Sequence, residues 1–481
     1  MEHKVGIYKQ KKAYYSKKAP YNPSFIFEEY PFKENMITDK GNEIYASLRE
    51  LLKLMGLDLD NFGTANWNPF GSFIFPEQNV LIKPNFMRHF SGRPGGVNAL
   101  ITHGSLIRAV ADYAYIALKG KGRIIIADGP MDDGDFEKII RLSGVDKIAE
   151  YYMKNAGFEL EIYDLRLEKV FRKDGEAVEK IMLKGDPAGY AKIDLGLASE
   201  FKIDGIDCRS LSGPDLKPEI LHLHHNKDKN EYLISNTLLD ADVILNLPKM
   251  KTHKRAGVTL ALKNMIGITG DRDWLPHRNT PCCCASKDNI KGASFGLKKT
   301  AIGLLKRCFG GLVMPVIDNL RQFIGVTDSC IRRGDWHGND VIWRTILDLA
   351  YIVSYADKKG SLQDKKQRKI FVVVDGIIAG EGDGPVNPRP KPCGVLVAGF
   401  NDIAVDIVTT RLMGFDPIKI PKFKKISKDS LGKLCDFDLK EINCVSNIND
   451  WDKPLEAIKG RCLAFRPHYG WKRIIINEVI S

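Results

Sequence analysis

Residues 79–85 read NVLIKPN, residues 105–118 read SLIRAVADYAYIAL and residues 123–128 read RIIIAD. The outer two are short unbroken apolar runs that end in charge, and the middle one is a helical run without glycine or proline. Strand, helix and strand at this spacing predict a right-handed crossover between two parallel strands. Strands that are apolar on both faces belong inside a sheet covered on both sides.

The same alternation extends outward from this unit. Apolar strands are expected at 158–163, 241–247, 370–374 and 394–398, with helices at 340–356 and 403–413. Between 270 and 339 the alternation breaks, with Asp, Arg, Trp, Pro, a Cys282-Cys283-Cys284 run and a helical piece at 300–307. Residues 1–77 are rich in Lys, Tyr and Pro and hold one helix over 42–55, with Leu48, Leu51, Leu52 and Met55 on its apolar side. The predicted fold class is therefore α/β, an open and mostly parallel sheet of Rossmann-like units with an N-terminal extension and an insertion. Its expected parts are an arm or cap at 1–77, a first unit at 78–269, an insertion or lid at 270–339, a second unit at 340–420 and a basic tail at 421–481.

With 481 residues, 44% hydrophobic and 27% charged, the chain is an ordinary globular one, neither disordered nor fibrous. Lys and Arg number 72 against 60 Asp and Glu, a net charge of +12 that favours anionic partners. The lysines are spread along the chain and no nucleic-acid reader motif is present, so no specific nucleic-acid binding is expected. Ten cysteines without a C-x-x-C pair do not form a disulfide framework, no transmembrane run appears, and a cytoplasmic location is the expectation.

In an open parallel sheet, ligands bind beyond the carboxyl ends of the strands, where loops converge. Five strand ends carry charge: Lys83-Pro84-Asn85, Asp128-Gly129-Pro130, Asn246 to His253, Asp375-Gly376, and Gly399 to Asp402. Lys83, Lys249, Lys251 and Lys263 would supply cations for a phosphate or carboxylate, while Asp128, Asp375, Glu381, Asp383 and Asp402 would supply oxygens for a hard cation or a base. The sharpest local feature is Lys249-Met250-Lys251-Thr252-His253, followed by an expected helix over 257–266 whose free N–H groups would add to an anion site. Thr259 and Lys263, four residues apart, would share a face of that helix. A plainer reading of the same residues has the lysines and aspartates pairing with each other as structural ion pairs.

Three other features offer less. The loop from Asp375 to Pro385 has four glycines and three carboxylates but neither a P-loop ending nor an EF-hand order. His222 and His224 would share a face of an extended segment with spacing that can hold a metal, without an identifiable third ligand. The triple cysteine has no partners at cluster spacing.

Six segments, taken in order, carry a family resemblance: Val80 to Asn85, Thr102-His103, Asn246 to His253, Leu262-Lys263-Asn264 with Gly267, Asp375 to Pro385, and Asp402 to Asp406. Together they closely resemble the domain of unknown function 362 family. The architecture is also similar, at the level of fold, to the nickel-pincer lactate racemase family. Relatives with an attached ferredoxin module look like iron–sulfur proteins.

These observations lead to an expected enzyme of unassigned reaction, binding an anionic small molecule with a divalent metal ion of unassigned identity. Lys83, Asn85, Lys249, Lys251, Thr252, Lys263 and Asn264 would hold the anion, and His253 and Asp375 would be catalytic. Asp375, Glu381 and Asp383 would bind the metal. The alternatives are a non-catalytic anion-binding or assembly protein and an iron–sulfur-linked redox protein.

Overall fold

A computed structural model describes residues 3–279, 323 and 326–476, apart from 36, 174–175, 204–205, 214–217, 425–433, 436, 461 and 473. The triple cysteine and the helix expected at 300–307 lie outside the described residues.

The central sheet has ten strands: β1 (Lys4–Lys9), β2 (Asn79–Pro84), β3 (Arg123–Asp128), β4 (Leu160–Asp164), β5 (Val243–Leu247), β6 (Lys249–His253), β7 (Gly257–Val258), β8 (Lys369–Glu381), β9 (Arg389–Gly399) and β10 (Asn443–Ser446). Their order is β10-β1-β9-β8-β5-β2-β3-β4, with β6 beside β8 and β7 beside β6. β4, β3, β2, β5 and β8 are mutually parallel. The alternating burial expected of a doubly covered sheet is present. Val80, Ile82, Val243, Leu245, Phe371 and Val373 face one core, while Leu81, Ile244, Val372 and Val374 face the other. Helices α1 (Glu43–Leu54), α2 (Gly104–Leu118), α3 (Phe136–Ser143) and α4 (Val145–Ala156) cover the first face. Helices α5 (Leu260–Asn264), α6 (Ile342–Tyr355) and α7 (Asp402–Leu412) cover the second. Each fully buried Val, Leu or Ile contributes about 1.5–3 kcal/mol to holding these layers together.

Four details depart from the sequence expectation. β9 runs antiparallel to β8, because the connection between Glu381 and Arg389 is too short for the crossover that parallel strands require. Gly399 to Asp402 therefore sit at the opposite edge of the sheet from the other four strand ends, and Asp402 lines a separate cleft with Asp242 and Arg368. Residues 4–9, read as part of an arm, form a strand between β9 and β10, and Asn443–Ser446, read as tail, form the edge. Short strands flanked by lysines give little periodic signal. Third, Lys249–His253 is a strand, and the expected ten-residue helix shrinks to α5 followed by a 3₁₀ turn at Met265–Ile268. Fourth, His222 and His224 lie on a helix, Pro218–His224, and bond to Leu211 O and Glu231 rather than to each other.

Candidate functional site

Because β6 follows β5 after a single proline and runs on alongside the far half of β8, the charged segment 249–253 stands above the carboxyl ends of β2, β3 and β5. Pro248 cannot donate to the ladder, which separates the two strands.

The deepest layer consists of three enclosed ion pairs. Lys83 Nζ lies 2.5 Å from Asp128 Oδ1 and donates to Pro84 O at 3.0 Å, while Phe86 N donates to Asp128 Oδ2 at 2.6 Å. A side chain at Gly267 would collide with both members of this pair, so only glycine lets the 3₁₀ turn close over it. Lys249 Nζ lies 3.0 Å from Asp375 Oδ2 and donates to the Tyr15 hydroxyl at 2.6 Å. Asp375 also accepts from Tyr15 at 2.5 Å, from His103 N at 3.0 Å and from Ile377 N at 3.3 Å. The third pair is Lys422 and Asp406, 3.1 Å apart. Asp406 occupies the start of α5, accepting from Ala261 N at 2.6 Å and Leu262 N at 3.2 Å. The N–H groups expected to await an anion at that helix start are thus already taken.

Above this layer is a cleft of about 270 Å³, and Asn85, Lys251, His253, Lys263 and Asn264 all line it, together with Thr259 and Asp128. An amide chain holds the floor in register. Asn85 Nδ2 donates to Asn264 Oδ1 and Asn264 Nδ2 to Asn246 Oδ1, both at 2.8 Å. Lys251 Nζ is anchored by Asn85 Oδ1 and Leu100 O, each at 2.6 Å, and makes no ion pair among the described residues. Burial, then Lys249 and Lys263, push its pKa well below 10.5. Lys263 has neither a hydrogen bond nor an ion pair among the described residues, and burial with Arg272, Lys422 and Arg255 lowers its pKa to about 7.

The remaining charges on the wall are largely matched. Lys254 and Arg255 share Asp335, Arg272 pairs with Asp132 at 3.3 Å, and Arg88 pairs with Asp133. Lys251 and Lys263 are left without carboxylate partners. Two further polar atoms, Thr259 Oγ1 and Arg272 Nε, are buried without a hydrogen-bond partner among the described residues.

Two histidines line the cleft as complementary tautomers. His253 Nδ1 accepts from Arg255 N and Ala256 N, both at 3.1 Å, so it carries no proton. Burial and the neighbouring Lys263, Arg255, Lys254 and Lys251 hold the ring neutral, which leaves Nε2 as a donor. His277 Nδ1 lies 2.9 Å from Leu275 O, and a carbonyl only accepts, so this nitrogen holds the proton. Burial and Arg255 keep that ring neutral as well, and its Nε2 is an acceptor.

Several residues expected at the site are elsewhere. Lys83, Lys249 and Asp375 are spent in the enclosed pairs and do not line the cleft. Thr252 Oγ1 donates to Gly382 O at 3.1 Å, fixing the glycine-rich loop. Glu381 accepts from Arg466 N and pairs with Lys391 at 3.2 Å, while Asp383 lies 3.4 Å from His468. The three carboxylates expected to share a metal therefore face different partners. Among the described residues, the one group of acidic side chains with oxygens within 4.8 Å of one another is Glu168, Asp271 and Asp273. There Lys180 already pairs with Glu168 and Asp273 and supplies the positive charge.

Sequence reasoning passed over His277, Arg272, Arg255 and Lys254. The last two extend the K-x-K-T-H run by two cations and were legible; His277 and Arg272 sat in the stretch read as an insertion.

Lys263 also makes a stability prediction. Its pKa of about 7 lies below the 10.5 of the unfolded chain. Between these values the unfolded state binds the extra proton, so this group's contribution to stability rises with pH across that window and is lowest below it. Lys263→Met should melt at a higher temperature than the parent at neutral pH, with the gap closing as pH approaches the upper value, as read by calorimetry.

The family described as "Domain of unknown function (DUF362)" matches residues 80–183 and 184–411. The chain is similar to thylakoid-associated protein sll1697 of Synechocystis sp., with 23% identity over 193 residues. That match spans 40% of this chain and 39% of the relative's length. Among the described residues no helix is long and apolar enough to cross a membrane.

Proposed function

The chain belongs to the domain of unknown function 362 family, and from that premise we propose that its cleft binds a small anionic molecule, a phosphate or carboxylate, and acts on it by proton transfer. One observation carries the reading: Lys251 and Lys263 line the cleft and neither has a carboxylate counter-ion among the described residues. Lys251 is fully buried, and a buried cation is normally paired, so a bound anion would be its missing partner. Lys251, held by Asn85 and Leu100, fixes the anion's position. Lys263, Thr259 and Arg272 supply further donors around it. His253, neutral with its proton on Nε2, is a hydrogen-bond donor that polarises the reacting group, and His277, with a bare Nε2, is the base. This pairing of one donor ring with one acceptor ring favours an enzyme over a passive binder, which would gain nothing from an acceptor facing an anion.

In this reading Lys83, Lys249 and Asp375 are scaffolding, and no metal is assigned to Asp375, Glu381 and Asp383, which face separate partners. The six described cysteines are all free thiols, in keeping with a reducing cytoplasm.

Sulfate, whose charge does not change near neutrality, is the probe. Calorimetry should show it binding the parent protein, with Lys251→Met weakening it about 10–100-fold, the worth of hydrogen bonds to a charged group. Equal affinity in the parent, Lys251→Met and Lys263→Met would overturn the reading. The pH dependence has a definite sign. Lys263 loses its proton as pH rises through about 7, so sulfate should bind more tightly at about pH 6 than at about pH 8.5. A bound anion raises that pKa, so binding on the alkaline side takes up a proton and its heat varies with the buffer's ionisation enthalpy. Lys263→Met should remove both effects.

A further inference from the structure

The lysines around the cleft divide by what their amines touch. Lys83, Lys249, Lys254 and Lys422 each pair with a carboxylate. Lys251 pairs with none but spends its amine on two oxygen acceptors. Lys263 has no acceptor at all among the described residues, yet it lines the cleft and is surrounded by cations. Half-buried on the cleft wall among these cations, its amine is favoured in the neutral form with a free lone pair.

We propose that Lys263 is a nucleophile, forming an imine with the carbonyl carbon of a small ligand that also carries an anionic group, so that the substrate class is an anionic aldehyde or ketone. The proposal rests on the anion reading above and extends it to the chemistry of the ligand. Burial and neighbouring cations together weaken this amine's hold on its proton, which is how lysines that form Schiff bases are activated. The low pKa of Lys263 agrees with it.

The arrangement also supplies the remaining steps. The Nζ lone pair attacks the carbonyl carbon, a C–N bond forms, and the carbonyl oxygen takes a proton to give a carbinolamine. The nitrogen, left positively charged with its two hydrogens, gives up one of them. The C–O bond then breaks, the oxygen leaves as water with a second proton, and the nitrogen sheds its last proton to give the neutral imine. The overall balance is a carbonyl and an amine to an imine and one water, with no oxidant or reductant. His253 Nε2–H, on a neutral ring, polarises the carbonyl by a hydrogen bond to its oxygen, and His277 Nε2 takes up protons lost by nitrogen and returns them to the oxygen, so the two lost by one equal the two gained by the other. Lys251 meanwhile holds the anionic end, so that the carbonyl rather than the anion meets Lys263 in the cleft of about 270 Å³. Position is secured from both sides: Asp406 clamps the start of the helix carrying Lys263, and Asn264 bonds to Lys83 O and Asn246.

The test is reductive trapping on the full chain, with pyruvate as the carboxylate arm and glycolaldehyde phosphate as the phosphate arm. Each is incubated near neutral pH with cyanoborohydride and the protein is mapped by peptide mass spectrometry. Expected is one adduct per chain at Lys263 in at least one arm, suppressed by sulfate and absent in Lys263→Arg, which keeps the stem and the charge. The arm that labels identifies the anionic group. Labelling spread over exposed lysines, with Lys263 no more modified than they are in either arm, overturns the proposal. Sulfate calorimetry on the same preparation separates the two claims. If sulfate binds and Lys263 is not trapped, the imine is wrong and the anion site stands; if sulfate does not bind, the anion reading has failed first.

Discussion

Asp375→Ala is expected to lower folding stability by about 3–5 kcal/mol while leaving sulfate binding in the folded protein close to that of the parent. The carboxylate accepts from four groups and neutralises Lys249, and both side chains are fully buried. Burial and Asp375 itself push the Tyr15 hydroxyl well above 10.0, so it stays protonated and donates. Without the carboxylate, Lys249 is a buried charge with only a phenol for company. The cost then comes from stranding that charge rather than from losing an attraction. Replacing both partners, Lys249→Met with Asp375→Leu, should return much of the lost stability, because two apolar groups leave no charge behind. Denaturant unfolding checks the stabilities and calorimetry the binding. A protein of parental stability that has lost sulfate would instead make Asp375 part of the site.

Asp406→Ala should cost a similar amount, about 3–5 kcal/mol, but with the opposite functional result. It strands Lys422, fully enclosed, and frees the N–H groups of Ala261 and Leu262. Those two bonds matter because α5 has five residues, too few to hold itself together. Its first residue, Leu260, is also held at φ +60°, a conformation that costs a leucine about 1–2 kcal/mol. Once the clamp is gone, Lys263 and Asn264 lose their fixed positions, and sulfate affinity falls with stability. Adding Lys422→Met should recover part of the stability and little of the affinity. The two aspartates are equivalent as buried counter-ions, so their divergence in binding tests whether α5 positions the site. If both variants kept, or both lost, sulfate to the same degree, that role for α5 would be refuted.

The sheet was legible because its signal is local and periodic. Val80 to Ile82 and Ile124 to Ile126 declare strands buried on both faces, the run from Ser105 declares the helix between them, and all three form where expected. The strand-end rule then pointed to Asn85, Lys251, His253, Lys263 and Asn264, which the fold brings around one cleft. The same rule misled at Asp402, because strand direction depends on the length of a connection: a loop as short as the one before β9 reverses the chain.

By itself, then, the sequence determined the α/β class, the family and the segments from which a site would be built, since each is written in neighbouring residues. It could not determine which lysines remain available. Lys83 and Lys251 look alike in sequence, but a carboxylate 45 residues away reaches the first, and the second receives an amide and a carbonyl. Lys249 is likewise silenced from 126 residues away. Whether a charge is answered depends on three-dimensional proximity in a medium that screens poorly, and only the folded chain sets those distances.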